Sequence, residues 1–143
     1  MTKIGVTGGR NYRDKLWVYT VMDYVHRNTE DMFLIVGDAT GLDQFCREWA
    51  KDRCIPHQIF EADWNKYKRA AGPIRNKEMR DAGIELLIAF EGGRGTKNMV
   101  ELCKEKKIQV IHSPKRQINH NWKYQSPEEP NESSKNNDTS IDN

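Results

Sequence analysis

Hydrophobic and polar residues follow two different patterns along the chain. Short apolar runs, such as MFLIV at residues 32–36, alternate with longer stretches in which apolar residues recur every three or four positions. The short runs predict strands at residues 3–7, 32–36, 57–60, 85–90 and 108–112. The longer stretches predict helices at residues 14–28, 41–53, 72–82 and 96–106, with Asp14 as a cap and Pro73 in a first turn. A loop that contains Asp63, Trp64 and Tyr67 is expected between the third strand and the third helix.

This alternation predicts a three-layer α/β domain. Apolar runs of this length between amphipathic helices are typical of a mostly parallel sheet covered on both faces. Right-handed crossovers then give a doubly wound fold with five strands, for which the simplest order is 3-2-1-4-5. In that order the chain reverses direction between strands 1 and 4. Ligands of such folds bind beside this switch point, at the carboxyl ends of the strands.

Composition divides the chain into a domain and a tail. Hydrophobic residues make up only 36% of the 143 residues, and the most polar region is the segment 115–143, rich in Asn, Ser, Pro, Glu and Lys. Such a segment cannot bury enough surface to offset the entropy of ordering. We therefore expect a folded domain at residues 1–114 and a disordered tail at 126–143. Trp122 and Tyr124 leave open whether residues 115–125 attach to the domain.

Charge and sequence pattern disfavour several classes of protein. The formal charge is +2 for the whole chain and +3 for residues 1–114. This charge is too small to indicate a strong electrostatic attraction to nucleic acid. No run approaches the ~18–20 apolar residues of a membrane span. The spacing of the three cysteines and four histidines predicts no disulfide framework, metal site or cofactor. The first residues have a strand pattern rather than a signal-peptide pattern, so a cytoplasmic protein is expected.

Two Gly-Gly-Arg loops follow the strands on either side of the predicted switch point. They are residues 8–10 and 92–94. Glycines allow a ligand to approach the backbone, a helix start attracts anions, and arginine supplies forked donors. We expect the loops to lie side by side and to bind phosphate; the alternative is that each merely turns the chain. Neither GxxxxGK[ST] nor GxGxxG is present, which disfavours an ordinary kinase or Rossmann dehydrogenase.

The candidate ligand-binding residues lie in these loops and at neighbouring element ends. They are Gly8, Gly9, Arg10, Asn11, Tyr12, Asp38, Asp43, Arg75, Asn76, Gly92, Gly93, Arg94, Gly95 and Thr96. Thr96 is expected to cap its helix and to offer a hydroxyl to phosphate. Tyr12 is preferred for stacking on a base, whereas a core role is favoured for Trp64 and Tyr67. Asp43 either accepts a hydrogen bond from a ribose hydroxyl or is an acidic first-turn residue that the helix dipole favours. Arg75 either faces the crevice or lies on a solvated helix face.

Four motifs in this order resemble one known family. They are GGRNYRD (8–14), GDATGLD (37–43), ADWNKYKRAAGPIRNKEM (62–79) and IAFEGGRGTKNMV (88–100). Their combination resembles the YspA/cpYpsA-related branch of the SLOG superfamily over residues 2–112. The resemblance implies a Rossmann-like fold, a nucleotide or nucleotide-derived ligand, and a bacterial or phage source. Relatives of the LOG type also imply a dimer or larger oligomer.

The superfamily includes the LOG-type nucleoside 5′-monophosphate phosphoribohydrolases, whose motifs can be compared with this sequence. Arg75 matches an arginine that assists catalysis in those enzymes, and residues 91–96 match their glycine-rich loop. The enzymes carry acidic residues after this loop, whereas Lys97, Asn98 and Met99 follow Thr96 here. The resemblance therefore favours phosphate binding over hydrolysis, and Arg75 would be catalytic only in a hydrolase.

Three functions remain as hypotheses. The first is a module that binds a nucleotide-derived small molecule, as a sensor or by sequestering it. The second is a LOG-like hydrolase that cleaves an N-glycosidic bond, with Asp38, Asp43 or Glu91 as the carboxylate. The third is single-stranded nucleic-acid binding, which the local basic cluster at residues 66–80 favours and the low net charge opposes. We favour the first, in a homo-oligomer without membrane or nucleic-acid partners.

Overall fold

The structure is a computed structural model and describes residues 1–114. The predicted tail, 115–143, lies outside the described residues. In chain order the elements are β1 (Thr2–Thr7), α1 (Lys15–Arg27), β2 (Met32–Gly37), α2 (Leu42–Asp52), β3 (His57–Phe60), α3 (Trp64–Tyr67), α4 (Ala71–Asp81), β4 (Leu86–Ala89), α5 (Arg94–Glu105) and β5 (Gln109–His112). One 3₁₀ turn, Lys68–Ala70, joins α3 to α4.

The five strands form one parallel sheet with the predicted order β3-β2-β1-β4-β5. In the register between the two neighbours at the switch point, Thr7 lies beside Ala89. These are the last residues of β1 and β4, so the two strands end together. The loops that follow them therefore leave the sheet at the same place.

Helices cover both faces of the sheet. α1 and α2 pack together on one face, and α4 and α5 pack together on the other. Successive residues of β2 serve the two layers in turn: Leu34 and Val36 belong to the core under α1 and α2, and Ile35 belongs to the core under α4 and α5. A strand buried on both faces is apolar throughout, as this one is. The three-layer prediction is confirmed.

Two local predictions around the loops differ from the structure. α5 begins at Arg94, two residues before the predicted start, so Thr96 lies within the first turn and the N-cap is Gly93. The prediction that Thr96 caps this helix is wrong because the chain enters the helix earlier. The segment expected to be a loop contains the short helix α3, which forms because the Asp63 carboxylate accepts a hydrogen bond from the Lys66 N–H over 3.1 Å.

Residues 1–114 contain no helix with the length and apolar character that crossing a membrane requires. The same residues hold no group of three or more His, Cys, Asp or Glu placed to bind a metal ion. Their three cysteines are free thiols, with Cys46 and Cys103 buried and Cys54 exposed.

Candidate functional site

The loops after β1 and β4 lie side by side, as predicted. The Gly9 N–H donates a hydrogen bond to the Glu91 carbonyl over 2.9 Å. A Cβ atom on Gly9 would come 3.2 Å from the Cα of Gly92, so the two backbones approach each other closely. A side chain at either glycine would push the loops apart. The two Gly-Gly-Arg segments therefore form one continuous edge at the switch point.

The loop after β2 closes the same end of the sheet. The Leu42 N–H donates to the Gly9 carbonyl over 3.1 Å, and the Thr40 hydroxyl donates to the Arg10 carbonyl over 3.1 Å. Gly41 has a φ of +73°, and a Cβ atom there would collide with the carbonyls of Gly9 and Arg10. Glycine is therefore required at position 41. The contact holds the backbone of Arg10 in place and leaves its side chain exposed.

These three loops border a cleft with a volume of about 820 Å³, which is within the usual range of small-molecule sites. All candidate residues named from the sequence line this cleft, except Asp38. A further part of the wall lies outside the ligand-binding residues predicted from the sequence, and it includes Trp64, Arg69, Gly72, Pro73, Met79 and Asn98. Most of these residues come from the segment between β3 and α4 and from α4 itself. The signal for a wall there was the pair of aromatic residues in an otherwise polar and basic segment.

The start of α5 faces the cleft, and no described side chain caps it. The Lys97 N–H closes the first turn on the Gly93 carbonyl over 3.0 Å. The N–H groups of residues 94–96 have no acceptor within the helix and lie at the positive end of its dipole. A Cβ atom on Gly93 or Gly95 would meet no heavy atom of residues 1–114 within 4 Å. Glycine thus leaves open space at these two positions rather than relieving a clash.

Arg75 is a buried arginine of α4 that joins three parts of the site. It is only 8% exposed. Its Nη1 donates to Asp38 Oδ1 over 2.8 Å, and its Nε donates to Asn76 Oδ1 over 3.1 Å. The Asn76 amide donates in turn to the Gly95 carbonyl over 3.2 Å and to Asn98 Oδ1 over 3.0 Å. This chain of polar contacts connects the end of β2 with the start of α5, and it excludes a solvated helix face for Arg75 and Asn76.

Asp43, in the first turn of α2, is a buried carboxyl on the wall of the cleft. It is 6% exposed and accepts a hydrogen bond from the Ala39 N–H over 3.3 Å. A Cβ atom on Gly37 would come 2.6 Å from Asp43 Oδ2 and 2.6 Å from Arg75 Nη1, so both groups lie against this glycine. Burial raises the pKa of Asp43 to about 6, and the Arg75 charge opposes the rise only in part. A carboxyl with such a pKa can exchange a proton near neutral pH.

Aromatic side chains form part of the rim. Trp64 and Tyr67 are 43% and 37% exposed, so the preference for a core role was wrong for both. The Arg10 guanidinium carbon lies 4.8 Å from the centroid of the Trp64 ring, in cation–π contact. Tyr12, the preferred stacking candidate, is half-buried and sets its ring edge-on to Phe90 with 5.7 Å between centroids. Tyr12 is thus packed against the core, while Trp64 stands at the surface.

The turn of α5 that follows the glycine loop presents a neutral side chain to the cleft. Asn98 lines the cleft. Met99, three positions after Thr96, is fully buried between the sheet and the helices of its face. The carboxylate that LOG-type enzymes carry in this region has no counterpart in this turn.

The part of the domain that carries the first glycine loop is similar to a known protein family. The sequence model of the YspA, cpYpsA-related SLOG family matches residues 2–67, from the start of β1 to the end of α3. Residues 2–67 are therefore similar to this SLOG family. The match includes Arg10, Asp43 and Trp64, and the loop after β4 lies beyond it. Similarity to the SLOG family suggests nucleotide-related binding.

A phage protein is similar to this chain over nearly the whole length of the phage protein. The Gene 61 protein of Mycobacterium phage D29 is 29% identical over 120 residues, which cover 78% of this chain and 96% of the phage protein. This relative fits the bacterial or phage source that the resemblance implied.

Proposed function

We propose that this protein binds a nucleotide or nucleotide-derived small molecule in the cleft, as a sensor or a sequestering module. The observation that carries the proposal is the convergence of two glycine loops on the uncapped start of α5. A phosphate at this point accepts hydrogen bonds from the N–H groups of residues 94–96, and Arg10 and Arg94 supply positive charge beside it. Asp43, on the wall of the same cleft, is an acceptor for ribose hydroxyls.

The open space at the second glycine loop supports this placement. Neither Gly93 nor Gly95 has a positive φ. A Cβ atom on either would meet no heavy atom within 4 Å in the described part of the chain. Packing of the free protein therefore does not require glycine there. Close approach of a ligand to the backbone does require it.

A thermal-shift screen followed by calorimetric titration tests the proposal. The ligands are nucleoside monophosphates, ADP-ribose, NAD⁺ and cyclic nucleotides. We expect at least one to raise the melting temperature of the wild type, and Arg10→Ala and Arg94→Ala to reduce that shift. Arg27→Ala is the matched control. Arg27 is also exposed, but it ends α1 near the amino ends of the strands, away from the cleft at their carboxyl ends. The proposal fails if no ligand stabilises the protein, or if both cleft variants respond like the wild type.

A second candidate function is hydrolysis of the N-glycosidic bond of such a ligand, and the buried carboxyl of Asp43 favours it. In this reaction water adds to C1′ and loses a proton to the solvent, the C1′–N bond breaks, and the departing base takes up a proton. A carboxyl whose pKa is raised to about 6 is suited to donate that proton. Chromatography after incubation with nucleoside monophosphates distinguishes the two functions. Free base that appears with the wild type and is lost in Asp43→Asn supports hydrolysis, and intact nucleotide supports binding alone.

Binding of single-stranded nucleic acid has weaker support. Within the basic cluster at residues 66–80, the side chains of Arg75 and Arg80 are only 9% exposed and pair with Asp38 and Asp81. The cluster therefore does not offer all its charges to a polyanion. A strongly salt-dependent shift with single-stranded DNA would nevertheless count against the small-molecule proposal.

A further inference from the structure

We propose that Trp64 is the surface on which the base of the ligand stacks, so that the cleft selects a 5′-mononucleotide over a sugar phosphate. This inference rests on the proposed function and makes its ligand more specific. Stacking on an indole tolerates any base and increases with the area of overlap. Purine nucleotides are therefore expected to bind more tightly than pyrimidine nucleotides.

Trp64 differs from the other tryptophans of residues 1–114. Trp17 and Trp49 are buried, and their indole N–H groups donate to the Pro114 carbonyl over 3.0 Å and to Asp23 Oδ1 over 2.8 Å. Trp64 is 43% exposed, and its indole N–H has no hydrogen-bond partner in the part of the chain that the structure describes. Core packing, which explains the first two residues, does not explain a large apolar ring at the rim of a cleft.

The local structure holds this ring in place. Asp63 caps α3, so Trp64 is the first residue of a capped turn. The Ala62 N–H donates to Asp38 Oδ2 over 3.3 Å, which ties the entry of the turn to the end of β2. A Cβ atom on Gly72 would come 3.5 Å from Trp64 Cη2, so the six-membered ring rests against the start of α4. A preorganised ring loses little conformational freedom when a base stacks on it.

Arg10 links the ring to the proposed phosphate position. Its backbone follows Gly9, which is bonded to the loop after β4, while its guanidinium lies over the Trp64 ring. An exposed cation–π contact is weaker than a base–aromatic stack. A base therefore displaces the guanidinium from the ring, and the displaced cation is then available to the phosphate. One residue thus connects recognition of the two ends of a nucleotide.

Calorimetric titration of the full chain with 5′-AMP, 5′-GMP, 5′-UMP and ribose 5-phosphate tests this inference. We expect the two purine nucleotides to bind most tightly and ribose 5-phosphate most weakly. Trp64→Ala should weaken AMP binding at least about fivefold, the lower end of what one base–aromatic stack contributes. The same variant should bind ribose 5-phosphate like the wild type, and Trp64→Phe should restore most of the affinity for AMP.

Tyr67→Ala is the matched control. Tyr67 belongs to the same short helix, is exposed to a similar degree, and lies under the Lys66 ammonium at 5.0 Å, but it does not line the cleft. Its loss should leave AMP affinity unchanged.

The possible outcomes separate the inference from the proposed function. Unchanged AMP affinity in Trp64→Ala overturns the inference and leaves the proposed function standing. Equal weakening of AMP and ribose 5-phosphate in that variant also overturns the inference, because it shows that Trp64 only supports the fold of the rim. If neither the nucleotides nor ribose 5-phosphate bind to the wild type, the inference fails, and the proposed function is decided by the ADP-ribose, NAD⁺ and cyclic nucleotides of the thermal-shift screen.

Discussion

Replacing Gly95 by alanine should make the free protein more stable and its ligand binding weaker. Gly95 is the second residue of α5 and lines the cleft. Alanine is more favourable than glycine in a helix interior by about 0.8–1 kcal/mol. A Cβ atom at this position meets no heavy atom of residues 1–114 within 4 Å, so no clash offsets the gain. Because the position is close to the helix end, we expect about 0.5 kcal/mol, or about 2–4 °C in melting temperature.

The same methyl group should interfere with the proposed phosphate. It would occupy space through which an anion approaches the N–H groups of residues 94–96. A hydrogen bond to a charged group contributes about 1.5–3 kcal/mol. Loss of one such bond therefore weakens the binding of 5′-AMP by about 10- to 100-fold.

Scanning calorimetry measures the stability of the variant, and isothermal titration with 5′-AMP measures its affinity. Gly92→Ala is the matched control in the same loop, because a Cβ atom there would collide with the Thr96 side chain and come 2.7 Å from the Gly9 nitrogen. In that control, stability and affinity should fall together. The reasoning is refuted if Gly95→Ala binds AMP as tightly as the wild type does, or if it melts at a lower temperature.

Two further predictions concern the buried polar groups in the wall of the cleft. Because burial raises the pKa of Asp43 to about 6, the folded protein binds this proton more tightly than the unfolded chain does. The stabilisation that results is present at low pH and is lost as the pH rises from about 4 to about 6. In urea unfolding, the free energy of unfolding of Asp43→Asn should rise relative to that of the wild type over that interval, by up to about 3 kcal/mol at pH 7. A pH-independent difference between the two proteins would contradict this. Arg75→Met should lower the free energy of unfolding by about 2–3 kcal/mol because it leaves buried Asn76 Oδ1 and the half-buried Asp38 carboxylate without their donor, whereas Arg94→Met, at an exposed position, should change it by less than about 0.5 kcal/mol. Similar losses in both arginine variants would show that burial of Arg75 is not what matters.

The sheet order and the meeting of the glycine loops were predictable because each depends on a strong local signal. The apolar runs define the strands, and right-handed crossovers leave few ways to order them. Once β1 and β4 are neighbours, the loops that follow Thr7 and Ala89 are brought together by the register.

Other parts of the site depend on contacts that are distant in sequence. Arg75 sits in a largely polar helix, and its burial is tolerable only because Asp38, 37 positions earlier, lies beside its guanidinium in the fold. A core role was favoured for Trp64. The structure places this residue at the rim, in the short helix that begins after the Asp63 cap.

The polar chain from Asp38 through Arg75 to Asn76 has a consequence for how this domain diversifies. These residues connect β2, α4 and α5 from buried or half-buried positions, whereas Arg10, Trp64 and Arg94 line the cleft from exposed positions. Substitution at exposed positions usually changes stability by no more than about 0.5 kcal/mol. Mutation can therefore replace the groups that we propose to select a ligand without disturbing the frame that supports them. Two proteins with this same frame need not share a ligand, and the rim, rather than the fold, is the part to compare when one ligand is inferred from another.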